Sequence, residues 1–356
     1  MDLLIKNNVI KQTRLIVDIG TYRTKVLEVR YEAKNIHILS AKSFESTAGG
    51  EMNFADIARR VRGVSGGSGQ KNVVVILPAG LTENRVASFK NIKETELSKA
   101  VKNESFRKVS PATHEIDYAY LGKRDEQGDT VRYCLMAAVA KSVDNEIVSE
   151  FQTCGMKVIS VVTSVYAGIN LSGLFFDDYE HPNRLMADFG RDSMRLSAIS
   201  DGVAVYTRVI ALGRASYEDA LFNAQNDAGR PEISEALEKV GCKPMLTPHS
   251  RYFEKLDEML YFDIVKSVNT NIIGELTRVL DLCETNEIPI TKIYFTGRPI
   301  FGFEKAAAEN LGTECEILDF RGVMEKEGRD YVICFDAETD REFANAVGMA
   351  ISPYTI

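Results

Sequence analysis

The chain lacks most of what marks a nucleic-acid-binding, membrane-spanning, disulfide-bonded or zinc-binding protein. Basic charge is not in excess: 43 Lys and Arg stand against 51 Asp and Glu, a formal net charge of −8. That balance cannot neutralise a run of phosphates, which excludes general affinity for nucleic acid. No apolar run reaches the ~18 residues of a membrane-spanning helix. The opening stretch "MDLLIKNNVIKQ" is too short in its apolar part for a secretory signal. A cytoplasmic protein is expected. Six cysteines (Cys134, Cys154, Cys242, Cys283, Cys315 and Cys334) form no CxxC pair, and four histidines show no ligand spacing. The cysteines read as reduced core thiols, not as a disulfide framework or a zinc site.

Core-forming material is plentiful. Hydrophobic residues make up 45% of 356 positions, enough for about two domains at ~150 residues each. Residues 14–31 alternate like a strand, turn at 32–35 and alternate again through "IHILSAKSF", which predicts a β-meander. "NFADIARRV" has helical spacing with Asn53 as its N-cap, and "GVSGGSGQ" (63–70) is a loop. "NVVVIL" is a strand closed by Pro78. A separate block follows: a helix in "NIKETELSKAVKNES", strands in "EIDYAYLGK" and "TVRYCLMAAVA", and a helix in "SVDNEIVSEFQTCG". That last helix carries Val143, Ile147, Phe151 and Cys154 on one face and stops at Gly155. "MKVISVV" returns as a strand. Residues 183–213 form a second meander, and 215–285 are mostly helical. "TKIYFTG" is a strand ending at Gly297, and "FEKAAAENLG" and "REFANAVGMAIS" are helices.

The two meanders open alike. "VDIGTYRTKVLEV" (17–29) and "ADFGRDSMRLSAI" (187–199) both read x-Asp-apolar-Gly, then four residues, then a base, with Lys25 in register with Arg195. Asp-x-Gly alone is more often a plain β-turn. A copy at half-chain distance points to two similar domains. A glycine lets backbone N–H groups approach an anion, and flanking hydroxyls and a lysine add donors for phosphate oxygens. A carboxylate beside them repels phosphate unless a divalent cation intervenes, usually through water for Mg2+. Two such hairpins acting on one nucleoside triphosphate and its metal account for the pattern.

This organisation resembles the actin-like ATPase superfamily, which includes actin and the sugar kinases. Its ordered signals are a first phosphate hairpin, a first connecting helix, a second phosphate hairpin, an adenosine segment and a final connecting helix. They match "DIGTYRTK", "VVTSVYAGI", "DFGRDS", "IYFTGRPIFG" and "FANAVGMAI". Within the superfamily the block at about 78–155 is similar to that of the pilus-assembly branch, PilM, close to the division protein FtsA. The implied fold class is α/β: an actin-like ATPase (ribonuclease H-like) duplicated two-lobe fold with an inserted α/β subdomain of the PilM/FtsA type. The implied domains are a first-lobe core at 1–77, the inserted subdomain at 78–155, a return at 156–182, a second lobe at 183–340 and a closing helix at 341–356.

The resemblance carries site roles by position. Asp18, Gly20, Thr21, Thr24 and Lys25 match the first phosphate loop, and Asp188, Gly190 and Ser193 match the second. Gly213, Glu275, Arg278, Gly297 and Arg298 match nucleoside-side positions. A bland reading stands beside some of these: Glu275 and Arg278, at i,i+3, also read as a surface pair, and Gly213 as a plain turn. ATP and Mg2+ are the implied cofactors, with Asp18 and Asp188 on the metal side. Two departures are visible: Tyr22 and Arg23 are bulky where small residues are usual, and Arg298 and Pro299 stand where a second glycine is usual.

The resemblance implies a cytoplasmic scaffold of type IV pilus assembly. Its implied partner is the short cytoplasmic N-terminal peptide of a PilN-like bitopic inner-membrane protein. Other pilus assembly proteins are possible partners, and the membrane is reached only through the partner. Hydroxyl residues at the start of the first connecting helix, Thr163 and Ser164, predict weak or no hydrolysis. The alternatives are an FtsA-like division scaffold, for whose terminal amphipathic helix "PYTI" leaves no room, a small-molecule kinase, for which no base stands out, and an actin fold that has lost its nucleotide.

Overall fold

The computed structural model describes residues 12–32, 34–46, 52–66, 71–104, 109–173, 180–225, 228–243, 251–320 and 332–352. Residues 67–70 of the expected 63–70 loop, the first eleven residues and the closing "PYTI" lie outside them, while Gly63 and Val64 of that expected loop are helical. The chain forms two compact units. Of the described residues, the first takes those up to 173, 202–207 and those from 319 on; the second takes 180–201 and 208–318.

The first unit is built on the predicted meander. β1 (Gln12–Ile19), β2 (Arg23–Glu32) and β3 (Asn35–Glu45) pair antiparallel in sequence order. β1 then pairs parallel with β4 (Lys71–Leu77). β1 and β4 are near-continuous apolar runs, as strands inside a covered sheet are. One face of the sheet is covered by α1 (Phe54–Val64), whose N-cap is Asn53 as predicted; its side chain accepts from the Asp56 N–H. Phe54, Ile57, Ala58 and Val61 pack there against Leu15, Val17, Val73 and Val75.

The inserted block opens with β5 (Thr82–Lys90), followed by α2 (Glu94–Asn103), β6 (His114–Glu126) and β7 (Asp129–Ala140). β7 lies between β5 and β6 and pairs antiparallel with both. β5 is not among the strands predicted from sequence. It offers only Ala87 and Phe89 as fully buried apolar residues, against Leu97 and Val101 of α2. Alternation in "TENRVASFK" is therefore too faint to read.

Next comes α3 (Lys141–Thr153), which ends at the predicted Gly155 with φ +72°. Its Ile147 and Phe151 join the core of Leu15, Val17 and Ile57. α3 thus packs into the first-lobe core, although the sequence boundary at 155 places it with the insertion. β8 (Met156–Thr163) adds parallel to β4, and α4 (Ser164–Ser172) follows.

The second unit repeats the plan. β9 (Asn183–Phe189) and β10 (Met194–Ser200) form the hairpin, and β11 (Val203–Ile210), whose residues 203–207 are grouped with the first unit, is next to β10 in the strand order. Asp201 and Gly202 turn between β10 and β11 with φ of 49° and 77°, the mirror-image turn that Asp-Gly favours. The helical stretch is α5 (Arg214–Ala224), α6 (Arg230–Lys239) and the long α7 (Glu258–Thr285). β12 (Lys292–Gly297), α8 (Phe303–Leu311) and β13 (Glu314–Ile317) complete the unit. The strand order β11-β10-β9-β12-β13 matches β3-β2-β1-β4-β8 place for place, with parallel pairing at the corresponding β9–β12 and β12–β13 contacts.

β14 (Val332–Phe335) pairs parallel with β3 at the edge of the first sheet. The sequence boundary at 340 places it in the second lobe; its pairing assigns it to the first. α9 (Ala344–Ala350) is buried throughout and packs on α4.

Candidate functional site

Each repeated hairpin is the same object in backbone geometry. In the first, the Gly20 N–H donates to the Arg23 carbonyl at 3.1 Å; in the second, the Gly190 N–H donates to the Ser193 carbonyl at 3.0 Å. A Cβ on either glycine would stand 2.6 Å from that carbonyl oxygen. Glycine is therefore required for the close approach of the backbone at both turns.

The aspartates sit in matching registers too. Asp18 lies opposite Lys25, and Asp188 opposite Arg195. Cross-strand partners share a face, and here they bond: Lys25 Nζ is 3.2 Å from Asp18 Oδ2, and Arg195 donates to Asp188 Oδ2. Asp18 is 2% exposed and Asp188 9%. Charges buried so deeply need partners. Each strand-end carboxylate is thus held by the base seven positions on.

The remaining first-hairpin residues separate by face. Thr21 is exposed at the tip. Thr24, one residue before Lys25, is fully buried on the opposite face, its hydroxyl 2.9 Å from the Ser46 hydroxyl. Thr24 thus meets Ser46, not the Asp18–Lys25 pair.

Around the second hairpin the structure gathers three of the nucleoside-side residues. Gly297 has φ +74°, and a Cβ on it would stand 2.4 Å from the Phe189 carbonyl and 2.8 Å from Asp188 Oδ1. The next residue, Arg298, donates its N–H to the same carbonyl at 3.0 Å, and its guanidinium lies 3.7 Å from Glu238. Gly213 packs on the hairpin backbone, where a Cβ would fall 2.4 Å from the Arg191 carbonyl. The first N–H groups of α5 are used there as well: Arg214 donates to the Gly190 carbonyl and Ala215 to the Arg191 carbonyl. The orphan donors of a helix start thus brace the turn. Ser193 contributes its carbonyl to the turn and is half-buried. Glu275 and Arg278 are bonded to each other on α7, and Glu275 is joined to Arg208 of β11 at 2.8 Å.

Among the described residues, no three His, Cys, Asp or Glu side chains gather as a metal site. Asp18 and Asp188 each accept from a base through Oδ2, so a divalent cation would meet them through its water shell and not in place of the base. At the β8–α4 junction, the Thr163 hydroxyl accepts from the Tyr166 N–H and caps α4, and Ser164 is buried beside it. That junction offers no carboxylate.

A family model described as type IV pilus assembly protein PilM matches residues 16–353. The chain belongs to that family. No curated protein matches this PilM-family chain in sequence. Among solved structures it is similar to a PilM–PilN type IV pilus biogenesis complex, with TM-score 0.75 and 17% identity over 97% of this chain and 98% of that one. It is similar at TM-score 0.50 to the ethanolamine utilization protein EutJ from Carboxydothermus hydrogenoformans, at 10% identity over 97% of this chain and 91% of that one. It is also similar at TM-score 0.50 to MreB 5 of Spiroplasma citri bound to AMPPNP, at 11% identity over 97% and 96% of the two chains. At such identities these neighbours show the fold alone. The PilM-family chain has the actin-like ATPase fold, with its duplicated lobes and inserted sheet. Among the described residues no helix is long and apolar enough to cross a membrane.

Sequence reasoning left Arg195 out of the site residues. The signal was present, since Arg195 falls in register with Lys25, but its role emerges only with the cross-strand pairing to Asp188. Ser46 was missed for a different reason: it reaches Thr24 from beyond β3, and no local pattern marks it.

Proposed function

We propose that this PilM-family chain is a nucleoside-triphosphate-binding scaffold of type IV pilus assembly, with ATP as its nucleotide. It receives the cytoplasmic N-terminal peptide of a PilN-like membrane protein and is held on the cytoplasmic face of the inner membrane through that partner. The observation that carries the nucleotide reading is the pair of glycine hairpins with identical turn bonds and aspartate–base registers. The exposed Thr21 hydroxyl of the first hairpin and the base of each hairpin are donor types suited to phosphate oxygens. The partner reading is supported by family membership and by the PilM–PilN complex among the similar structures.

Mechanistically, ATP shifts the population of conformers only by the extra contacts it makes in one of them, and the partner reads that shift. Hydrolysis is slow or absent, because the β8–α4 junction supplies only hydroxyls, one of them already capping a helix. Phosphate release from Mg-ATP no faster than from an Asp18→Ala control supports this; turnover clearly above it defeats it.

The inserted sheet is the element assigned to the partner. Thr82 and Val139 are cross-strand neighbours, only ~5 Å apart as such pairs are. Residues 82–140 can therefore be replaced by a short turn while α3 stays in the core. The synthetic N-terminal peptide of the partner encoded with this chain should bind the intact protein saturably, by fluorescence anisotropy. The shortened protein, shown by cooperative melting to fold, should not bind it. Equal binding by both removes the insertion from the site, and no binding by either removes the partner.

A further inference from the structure

Arg298 is held in place more firmly than a surface arginine needs to be. Gly297, just before it, takes φ +74° and lies against the second hairpin, where no Cβ fits. The Arg298 N–H donates to the Phe189 carbonyl, one residue before Gly190, at 3.0 Å. Pro299 follows at once, and a proline restricts the residue before it to extended backbone. The guanidinium lies 3.7 Å from Glu238 of α6. The same Glu238 oxygen takes Arg214 at 3.3 Å, and the Arg214 N–H donates to the Gly190 carbonyl at 3.1 Å. A closed circuit thus runs from the hairpin backbone through Arg298, Glu238 and Arg214 and back to the hairpin, all within the second unit. It fixes where the guanidinium lies relative to the turn.

The ion pair alone does not account for this. The side chains of Arg298 and Glu238 are 43% and 40% exposed, and pairs so exposed contribute little. A guanidinium is a flat plate whose donors all lie in its plane. Hydrogen bonds and ion pairs engage the rim of that plate, not its faces. Those faces are weakly hydrated and stack on aromatic rings. A nucleobase presents such a ring whatever its hydrogen-bonding edge. The ribose separates a nucleotide's base from its phosphates by only a few bonds, within reach of an arginine side chain anchored at the turn.

We propose that Arg298 is the stacking plate for the nucleobase: a nucleoside triphosphate with its phosphates at the second hairpin lays its base on the guanidinium face. This deepens the nucleotide-binding reading above and rests on it. It also accounts for an arginine at a position where a glycine is usual.

The test is calorimetric titration of ATP and of UTP, which share their phosphates and ribose, into the full chain and into Arg298→Lys. Lysine keeps the charge and lacks the plate. Cooperative melting shows that the variant folds, and Arg298→Ala serves as a second variant with the same readings. Arg298→Lys should weaken ATP binding about fivefold or more, the low end of what stacking one base contributes. UTP should lose less, because its smaller base stacks less strongly, so the preference for ATP narrows. Unchanged ATP affinity overturns the proposal. Equal losses for the two nucleotides overturn it too, because they place Arg298 on the phosphates. Absence of ATP binding by the unaltered chain overturns the nucleotide reading itself, and this inference with it.

Discussion

Asp18 is almost wholly buried and is held by a base that is itself largely covered. Removing only the base leaves a carboxylate stranded in the sheet. Lys25→Met should therefore destabilise the first unit by about 3 kcal/mol, and adding Asp18→Asn should recover most of that loss. Urea unfolding of the four proteins checks it; equal losses in the single and double variants would mean the pair contributes nothing. Buried acids of another kind set the alkaline limit. Burial pushes the thiols of Cys134 and Cys283 up to about 11 from an ordinary 9.0. Tyr31 is pushed up to about 12 by burial, against the opposing pull of Arg14. Tyr133 also reaches about 12, through burial and then its hydrogen bond to Glu126. The folded chain holds these protons more tightly than the unfolded one. Their contribution to stability is complete below about pH 9 and is lost as pH rises through 11 and 12. Urea midpoints should fall steadily above pH 9; a midpoint that holds or rises there contradicts the burial of these groups. At this scale the sequence disclosed residue types and spacing but not facing. Thr24 and Lys25 are adjacent and both can donate to phosphate, and only the pleat sends Thr24 to Ser46 and Lys25 to Asp18.

Elements with a strong period were legible and those with a weak one were not. α1, with four buried apolar residues on one face and a capping asparagine, and α3, with its glycine stop, lie where their patterns place them. β5 hid because its polar residues face outward and little apolar surface faces in. α9 is the instructive case, since "FANAVGMA" has no polar face at all. Its small residues let it lie against α4, where a Cβ on Gly348 would fall 2.2 Å from the Ala167 carbonyl oxygen. That oxygen is backbone and cannot step aside unless the helices separate. Gly348→Ala should cost about 1–3 kcal/mol, the range for overpacking a tight contact. Gly168, on the partner helix, gives the opposite sign: its nearest neighbour to an added Cβ is Asn345 Oδ1 at 3.8 Å, an ordinary contact. Gly168→Ala should stabilise by about 0.5–1 kcal/mol through helix propensity. Thermal melting of the two variants decides it, and a loss at both positions would show that α4 and α9 tolerate no added atom anywhere along their seam.

The molecule as a whole is a duplication, and the duplication is what made it readable. Asp-x-Gly and a base seven residues after the aspartate recur at half-chain distance, and the same offsets appear in the structure as the same turn bond and the same cross-strand pair. The five-strand order recurs with them. Boundaries were less legible than the repeat, because β14 returns across nearly the whole sequence to pair with β3, and α3 returns from the insertion to the first-lobe core. Neither long-range pairing leaves a local mark. The central proposal is that the bases of the two hairpins bind the phosphates of ATP, and its most direct test is calorimetric titration of ATP into the unaltered chain, Lys25→Gln and Arg195→Gln, each shown by cooperative melting to fold. The account predicts that each change weakens ATP binding, as loss of a charge-assisted contact does. Unchanged affinity in both variants would contradict it.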